Sequence, residues 1–163
     1  MTDVRLEPWS ADGFDLLVRA NTPEMTRYLG GPESAELVAD RHRRYLALDA
    51  PGAGRMFLAT VGGASAGVVG YWEHEWQGEG SYEAGWSVLP EFQGRGVAVA
   101  GLLLVIADAR AQRRHRALRA FPSIHNGASN AVCRKAGLTL AGECGFEYPK
   151  GNPIRGNDWY VEL

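Results

Sequence analysis

The sequence predicts a single-domain α/β fold that combines strands and helices. Two runs rich in branched and aromatic residues, Arg55 to Val61 and Ser65 to Trp72, are joined by Gly62-Gly63, a dipeptide that favours a tight hairpin. A third such run, Tyr82 to Leu89, ends at Pro90 and leads through a glycine-rich turn into a long apolar helix. With 163 residues, the whole chain, 1–163, has the length of one domain with a sizeable core.

The N-terminal third predicts one strand and two helices. Val4 to Trp9 favours a short strand, and the capping residues after it favour a helix that ends near Ala20. Pro32-Glu-Ser precedes a second predicted helix, Ala35 to Leu48. The turn-forming residues from Asp49 to Gly54 close this half.

The rest of the chain predicts further strands and one short helix. Residues 72–80 are more polar and are predicted to connect the second and third strand-like runs. After the long helix, residues 117–121 favour a strand, and Asn126 is a natural N-cap for a helix that Gly137 ends. A final antiparallel pair is predicted over 138–148 and 155–163. The predicted order is β-α-α-β-β-β-α-β-α-β-β.

Composition narrows the class of protein. The net charge of −2 and pI near 6.1 argue against a general nucleic-acid binder. Cys133 and Cys144 have no metal-ligand spacing and are too few for a disulfide framework, so we expect no metal site. The longest apolar run, Val97 to Ala107, is shorter than the roughly 20 residues that cross a bilayer. The acidic N-terminus lacks a signal sequence, so we expect no membrane partner and a cytoplasmic location.

The glycine-rich turn before the long helix reads Gln93-Gly94-Arg95-Gly96-Val97-Ala98. A turn of this kind exposes several N–H groups at a helix N-terminus, where the helix dipole favours an anion such as a pyrophosphate. A Walker phosphate loop is excluded because no Gly-Lys-Ser/Thr follows. A dinucleotide fingerprint fails because Val99 stands where its third glycine belongs.

Two motifs resemble those of the GCN5-related N-acetyltransferases (GNAT). Val88 to Ala98, VLPEFQGRGVA, fills every position of the acetyl-CoA motif V-x-P-x-x-[QR]-G-x-G-x-[AG]. Asn126 to Leu138, NGASNAVCRKAGL, is similar to the N-x-x-S-x-x-x-x-x-K-x-G-[FL] segment of the family. With Ser129-Asn130 and Glu147-Tyr148, the chain most resembles the branch that acetylates the N-termini of ribosomal proteins and contains many small-amine acetyltransferases.

The resemblance implies a fold and a co-substrate. The fold is a mixed, mostly antiparallel sheet of about seven strands, splayed at its middle and flanked by about four helices. The co-substrate is acetyl-CoA. The turn amides would hold its pyrophosphate, Val88 its pantetheine arm, and Asn126 would either bind pantetheine or only cap its helix. The implied cofactor-binding residues are Val88, Gln93, Gly94, Arg95, Gly96, Val97, Ala98, Asn126 and Cys133.

The resemblance also assigns the catalytic groups. The family commonly has a tyrosine acid where this chain has Cys133, and some branches have a glutamate base where it has Phe121. By resemblance to the ribosomal branch, Ser129 is the predicted acid that protonates the CoA thiolate, and Glu147 is the predicted base. Glu83, on the central strand, is the second candidate base.

The implied activity is transfer of the acetyl group to a primary amine, either a protein or peptide α-amine or a small-molecule amine. Deprotonating an alkyl amine at pH 7 costs about 4.6 kcal/mol, whereas a peptide α-amine costs only about 1 kcal/mol. The missing tyrosine and strand glutamate therefore favour an acceptor of low pKa. An acyl donor longer than acetyl remains an alternative.

Two further questions stay open at the sequence level. Four glutamates at 73, 75, 79 and 83, among tryptophans and tyrosines, predict either an acidic, aromatic approach for an ammonium group or an ordinary hairpin. The alternative function is a CoA-binding regulatory domain without catalysis; a nicotinamide-dependent oxidoreductase is a third. The family is compatible with a homodimer.

Overall fold

The computed structural model describes residues 2–48 and 50–163, so Asp49 of the predicted turn lies outside the described residues. Seven strands form one sheet in the order β1-β2-β3-β4-β5-β7-β6. The strands are β1 Val4–Pro8, β2 Gly54–Val61, β3 Ala64–Trp76, β4 Glu79–Val88, β5 Ala117–Ala120, β6 Thr139–Glu147 and β7 Pro153–Glu162. The sheet is mixed, since β4 and β5 are parallel and all other neighbours are antiparallel.

Four helices cover the two faces of the sheet. They are α1 Gly13–Ala20, α2 Ala35–Ala47, α3 Val97–Gln112 and α4 Gly127–Lys135. One core cluster packs α3 and α4 against one face, through side chains such as Leu102, Val105 and Cys133. The other cluster packs α1 and α2 against the opposite face, through Leu16 and Val38. The predicted fold class is confirmed. In the described part of the chain, no helix has both the length and the hydropathy for a membrane crossing.

The pairing of β4 with β5 is short. Only Tyr82 with Leu118 and Glu83 with Arg119 are in register. Along its other edge, β4 pairs with β3 over its whole length, from Glu79 to Val88. The residues of β4 after Glu83 therefore face a gap where β5 has turned away, which is the splay that the resemblance implies.

The predicted polar connection over 72–80 was wrong, because β3 and β4 form one continuous hairpin. β3 continues to Trp76, and the turn Gln77-Gly78 has φ values of 52° and 82°. Two central residues with positive φ suit a tight hairpin turn. Polarity misled the prediction, since residues 72, 74 and 76 lie on one face and the glutamates between them alternate onto the other.

Candidate active site

The turn before α3 is an open cradle of backbone N–H groups. Gly94 and Gly96 have φ values of 72° and 77°, and a Cβ added at either would meet nothing within 4 Å. No side chain of the described residues caps α3, whereas Ser34 caps α2 and Asn126 caps α4. The first N–H groups of a helix have no partner within it, so those of α3 point outward as donors. This arrangement fits a diphosphate.

The turn is tied to the end of β4. Gln93 Nε2 donates to the Val88 carbonyl at 2.9 Å, which fixes the cradle relative to the strand. The neighbouring Arg95 is exposed, with its guanidinium 5.4 Å from the centre of the Phe92 ring. Gln93 thus positions the turn, and Arg95 is free to approach an anion.

The gap beside β4 offers backbone groups to an extended ligand. The Leu89 N–H donates to the Ala66 carbonyl, toward β3, at 2.9 Å. Because successive residues of a strand direct their N–H and C=O groups to opposite sides, the Val88 N–H points toward the gap. This donor suits a carbonyl of a pantetheine arm or of a thioester.

Glu83 stands where the gap begins. It is the last β4 residue paired with β5, and it is in register with Trp72, whose side chain joins the cluster under α1 and α2. Glu83 therefore faces the α1–α2 side of the sheet. Burial raises the pKa of its carboxyl from 4.5 to about 7, and a hydrogen bond from Trp72 opposes this rise only in part. A carboxyl with that pKa suits a general base near neutral pH.

The segment that leads into α4 lies against β7, since the Asn157 N–H donates to the Pro122 carbonyl at 2.9 Å. Asn126 Oδ1 accepts from the Ser129 N–H at 3.1 Å, so the predicted capping role is confirmed. Ser129 is half-buried in this first turn. Its predicted role as acid, and a contact of Asn126 with pantetheine, stay predictions.

Cys133 lies one helical turn after Ser129 in α4, and its predicted contact with the cofactor stays a prediction. It is completely buried in the cluster under α3 and α4. Burial raises the pKa of the thiol to about 12. The predicted alignment of Cys133 with Ser129 along one helical face holds, but one helical turn takes the cysteine inside the core.

Asn130 is a site residue that the sequence analysis missed. Its Nδ2 donates to the carbonyls of Ser123 and Asn126 at 2.9 and 2.8 Å. Its Oδ1 accepts from Asn157 Nδ2 and Trp159 Nε1, both at 2.8 Å. The side chain thereby fixes the segment that leads into α4 against β7. The only sequence signal was its position next to Ser129 in the motif.

Glu147 lies at the tip of the β6–β7 hairpin. It is exposed, and its Oε2 accepts from the Gly151 N–H at 3.3 Å within the same turn. The next residue, Tyr148, bonds through its hydroxyl to Arg41 of α2 at 2.6 Å. Glu147 is therefore far more solvated than Glu83, the other candidate base.

The four glutamates around the β3–β4 hairpin do not form one acidic surface. Glu83 faces the α1–α2 side, whereas Glu73 and Glu75 alternate to the α3 side. There Glu73 accepts from Arg114 and His115, and these partners hold its pKa below the usual value, His115 first. Glu79, in register with Trp76, shares the side of Glu83, so only these two of the four glutamates remain on the predicted acidic approach.

A cavity of about 320 Å³ lies at the opposite end of the β4–β5 pair. Its lining includes Trp76, Ser81, Arg116 and Arg119. It contains none of the predicted cofactor-binding residues, and it is not enclosed. We place the candidate site at the cradle and the gap because the N–H donors of the turn and the half-buried Glu83 carboxyl both lie along β4 beside the gap.

Comparisons with known proteins agree with this geometry. Residues 3–139 match the sequence profile of the acetyltransferase (GNAT) domain. A search of curated protein sequences gave no match. The chain therefore belongs to the GNAT acetyltransferase domain family, which confirms the resemblance and the prediction of an acyltransferase.

Solved structures show the same fold at low identity. An acetyltransferase from Salmonella typhimurium that modifies the N-terminal serine of ribosomal protein L7/L12 is 22% identical, with a TM-score of 0.79, over 100% of this chain and 96% of that one. The aminoglycoside acetyltransferase AAC(6')-Ib, in complex with coenzyme A, is 14% identical, with a TM-score of 0.76, over 98% and 95%. A putative acetyltransferase, yncA from Salmonella typhimurium, with its cofactor acetyl-CoA, is 18% identical, with a TM-score of 0.79, over 99% and 94%.

Proposed function

We propose that this protein transfers the acetyl group of acetyl-CoA directly to a primary amine. The observation that carries the proposal is the convergence of three features: the uncapped N-terminus of α3, the gap between β4 and β5, and the Glu83 carboxyl where the gap begins. Coenzyme A or acetyl-CoA in the similar structures supports this choice of co-substrate.

Each part of the site has a separate task. The amides of Gly94 to Ala98 bind the diphosphate, with Arg95 available as an additional cation. The Val88 N–H polarises the acetyl carbonyl or holds the pantetheine arm. When bound, acetyl-CoA supplies a thioester carbon that an unprotonated amine attacks, which forms the C–N bond, breaks the C–S bond and releases a thiolate.

Two side chains move the protons. Glu83 accepts the proton that the amine must lose, directly or through a water, because its pKa of about 7 lets it exist as a carboxylate near neutral pH. Ser129 donates its hydroxyl proton to the leaving thiolate and takes a proton back from water. The complete burial of Cys133 favours Ser129 over the cysteine for this role.

The acceptor is an amine of low pKa, such as the α-amine of a peptide or of an amino-acid derivative. A base with a pKa near 7 removes a proton readily from an ammonium of pKa near 8, at a cost of about 1 kcal/mol, but poorly from an alkylammonium near 10.4. The similar structures include an enzyme that acts on a protein N-terminus and one that acts on aminoglycosides.

A coupled assay tests the proposal. The protein is mixed with acetyl-CoA, a thiol reagent and a panel of amines that includes amino-acid amides, short peptides and alkyl amines. We expect CoA release that depends on the amine and is faster for α-amines. Calorimetry shows separately whether CoA binds. If CoA binds but no amine causes its release from acetyl-CoA, the domain binds CoA without catalysis and the proposal fails.

A further inference from the structure

One guanidinium joins two segments that are far apart in the sequence. Arg41 of α2 donates from Nη2 to the Tyr148 hydroxyl at 2.6 Å, from Nε to Glu33 Oε1 at 3.0 Å and from Nη1 to the Tyr45 hydroxyl at 3.2 Å. All three of its nitrogens are therefore engaged, and its side chain is only 20% exposed. Arg41 is held in one position by α2 and reaches from there to the β6–β7 turn.

A second contact reinforces the first. A Cβ added at Gly30, between α1 and α2, would lie 2.9 Å from Pro149 Cδ and 3.2 Å from Asn152 Nδ2. The Gly30 backbone thus lies against the side chains of Pro149 and Asn152 at the turn that follows Tyr148. We call the Arg41–Tyr148 hydrogen bond together with the Gly30–Pro149 contact the α2–hairpin bridge.

The bridge lies on the side of the sheet that Glu83 faces. α2 packs on the same face as Trp72, the register partner of Glu83. At the other end, Phe146 of the hairpin contacts Phe121, which directly follows β5, with ring centroids 6.3 Å apart. The bridge therefore runs from one side of the β4–β5 gap to the other, over the face from which an amine reaches Glu83.

We propose that the α2–hairpin bridge selects the acceptor by width, so that Arg41 and Tyr148 are specificity-determining residues. This inference rests on the proposed function. A slim amine, such as an α-amine next to glycine or alanine, reaches Glu83 with the bridge closed. A bulky amine has to break the Tyr148 hydrogen bond and separate Gly30 from Pro149. The preferred substrate class is therefore a primary amine with a small group on its α-carbon.

Amino-acid amides test this selection because their α-amines have similar pKa values and differ in width. The kcat/KM values of glycinamide, alaninamide, phenylalaninamide and tryptophanamide are measured for the wild type and for Tyr148→Phe and Arg41→Ala. We expect the wild type to favour the small amides. We expect both variants to raise the ratio of kcat/KM for tryptophanamide to that for glycinamide about tenfold, a typical size for steric selection in a pocket.

The matched control is Arg43→Ala. Arg43 lies on the exposed side of α2, and its ion pair in the described part of the chain is with Asp40, so the ratio of kcat/KM values should equal that of the wild type. Hydrogen exchange gives a second readout. In Tyr148→Phe, the amides of Tyr148 and Asn152, which close the turn through bonds to Asn152 and Pro149, should exchange faster.

The possible failures are distinguishable. Normal turnover with an unchanged width ratio in both variants overturns the selection and leaves the proposed function intact. Unchanged exchange in Tyr148→Phe shows that the bridge does not hold the hairpin and also overturns it. No CoA release from the wild type with any amine removes the proposed function, and the selection with it.

Discussion

Glu83 and Arg119 form the last register pair between β4 and β5, yet the guanidinium does not neutralise the carboxyl. Arg119 Nη1 donates instead to Asp158 Oδ1 at 2.7 Å, and its guanidinium lies 5.4 Å from the centre of the Tyr160 ring. Asp158 is itself buried and also accepts from Trp76 Nε1. Among the residues that the structure describes, Glu83 thus has no cationic partner, and burial dominates its pKa.

Replacing the proposed base should remove the pH dependence of the reaction near neutrality. In Glu83→Gln we expect kcat/KM to fall by about 10²- to 10³-fold, the usual contribution of a general base. The wild-type profile should rise with pH through a midpoint near 7, because the carboxyl must be ionised to accept a proton. The variant should lose this limb. Rates of CoA release by both proteins, measured from about pH 5.5 to 9, check these expectations.

Glu147→Gln is the comparison that decides between the two candidate bases. The exposed Glu147 accepts a hydrogen bond within its own turn, so this variant should keep the limb near pH 7. A limb that persists in Glu83→Gln and disappears in Glu147→Gln would assign the base to the hairpin instead.

The same carboxyl should make the protein less stable as the pH rises. The folded-state pKa of Glu83, about 7, lies above its ordinary 4.5, so the folded chain binds more protons than the unfolded chain between these values. The stability contributed by Glu83 is therefore complete below about pH 4.5 and lost as the pH rises through about 7. Full ionisation costs on the order of 3 kcal/mol.

Denaturant titrations of Glu83→Gln test this sign. The variant should gain stability over the wild type at pH 8 compared with pH 5, since an amide carries no charge to bury. An equal difference between the two proteins at both pH values would show that Glu83 is solvated in the folded state.

Most elements were predicted because their signals are local. Gly62-Gly63, Pro90, Asn126 and Gly137 act on their own neighbours, so the hairpin, the strand end, the cap and the helix end could be read without tertiary structure. The β3–β4 hairpin was missed because its alternation mixes tryptophans with glutamates. The pairing of β4 with β3 and β5 shows that this mixed segment is a strand with two different faces.

The site was predicted where a backbone motif defines it and not where side chains meet across the fold. The cradle at Gly94 and Gly96 follows from the glycine spacing alone. The burial of a residue on a helix depends on what packs against it, so the sequence could not show that Cys133 lies inside the core. The Arg41–Tyr148 bond spans 107 positions, and no local pattern encodes it.

A side chain at Gly96 should disturb the cradle. Gly96 has φ 77° and precedes α3, so an alanine there adopts the left-handed region at a cost of about 1–2 kcal/mol. Its Cβ would also enter the open space that the diphosphate needs. We expect Gly96→Ala to raise KM for acetyl-CoA at least about tenfold.

Gly63→Ala is the matched control. Gly63 has a φ of 82°, and its Cβ would also meet nothing within 4 Å, but it lies in the β2–β3 turn. We expect Gly63→Ala to lose about as much stability as Gly96→Ala but to keep the wild-type KM for acetyl-CoA. That result would separate the effect of backbone strain from the effect of blocking the ligand. Equal KM values for acetyl-CoA in Gly96→Ala and the wild type would mean that the turn does not hold the donor.

Ser129 and Cys133 should behave differently although they share one helical face. Ser129→Ala removes the proposed acid, so we expect kcat to fall about tenfold or more while stability changes little. Cys133→Ala empties part of the core and should cost about 1–2 kcal/mol of unfolding free energy with kcat retained. Steady-state kinetics and urea unfolding of both variants check this. Loss of kcat in Cys133→Ala alone would move the acid to the cysteine.

Asn130 should link stability to donor binding, because its four hydrogen bonds hold the segment before α4 against β7. Asn130→Ala leaves Trp159 Nε1 and two backbone carbonyls without this partner, and we expect a loss of about 2–4 kcal/mol. Displacement of Asn126 should also raise KM for acetyl-CoA more than it lowers kcat. Asn157→Ala, which removes one of these bonds, should lose stability without the KM effect. If both variants shift KM equally, Asn130 supports the fold and does not position the donor.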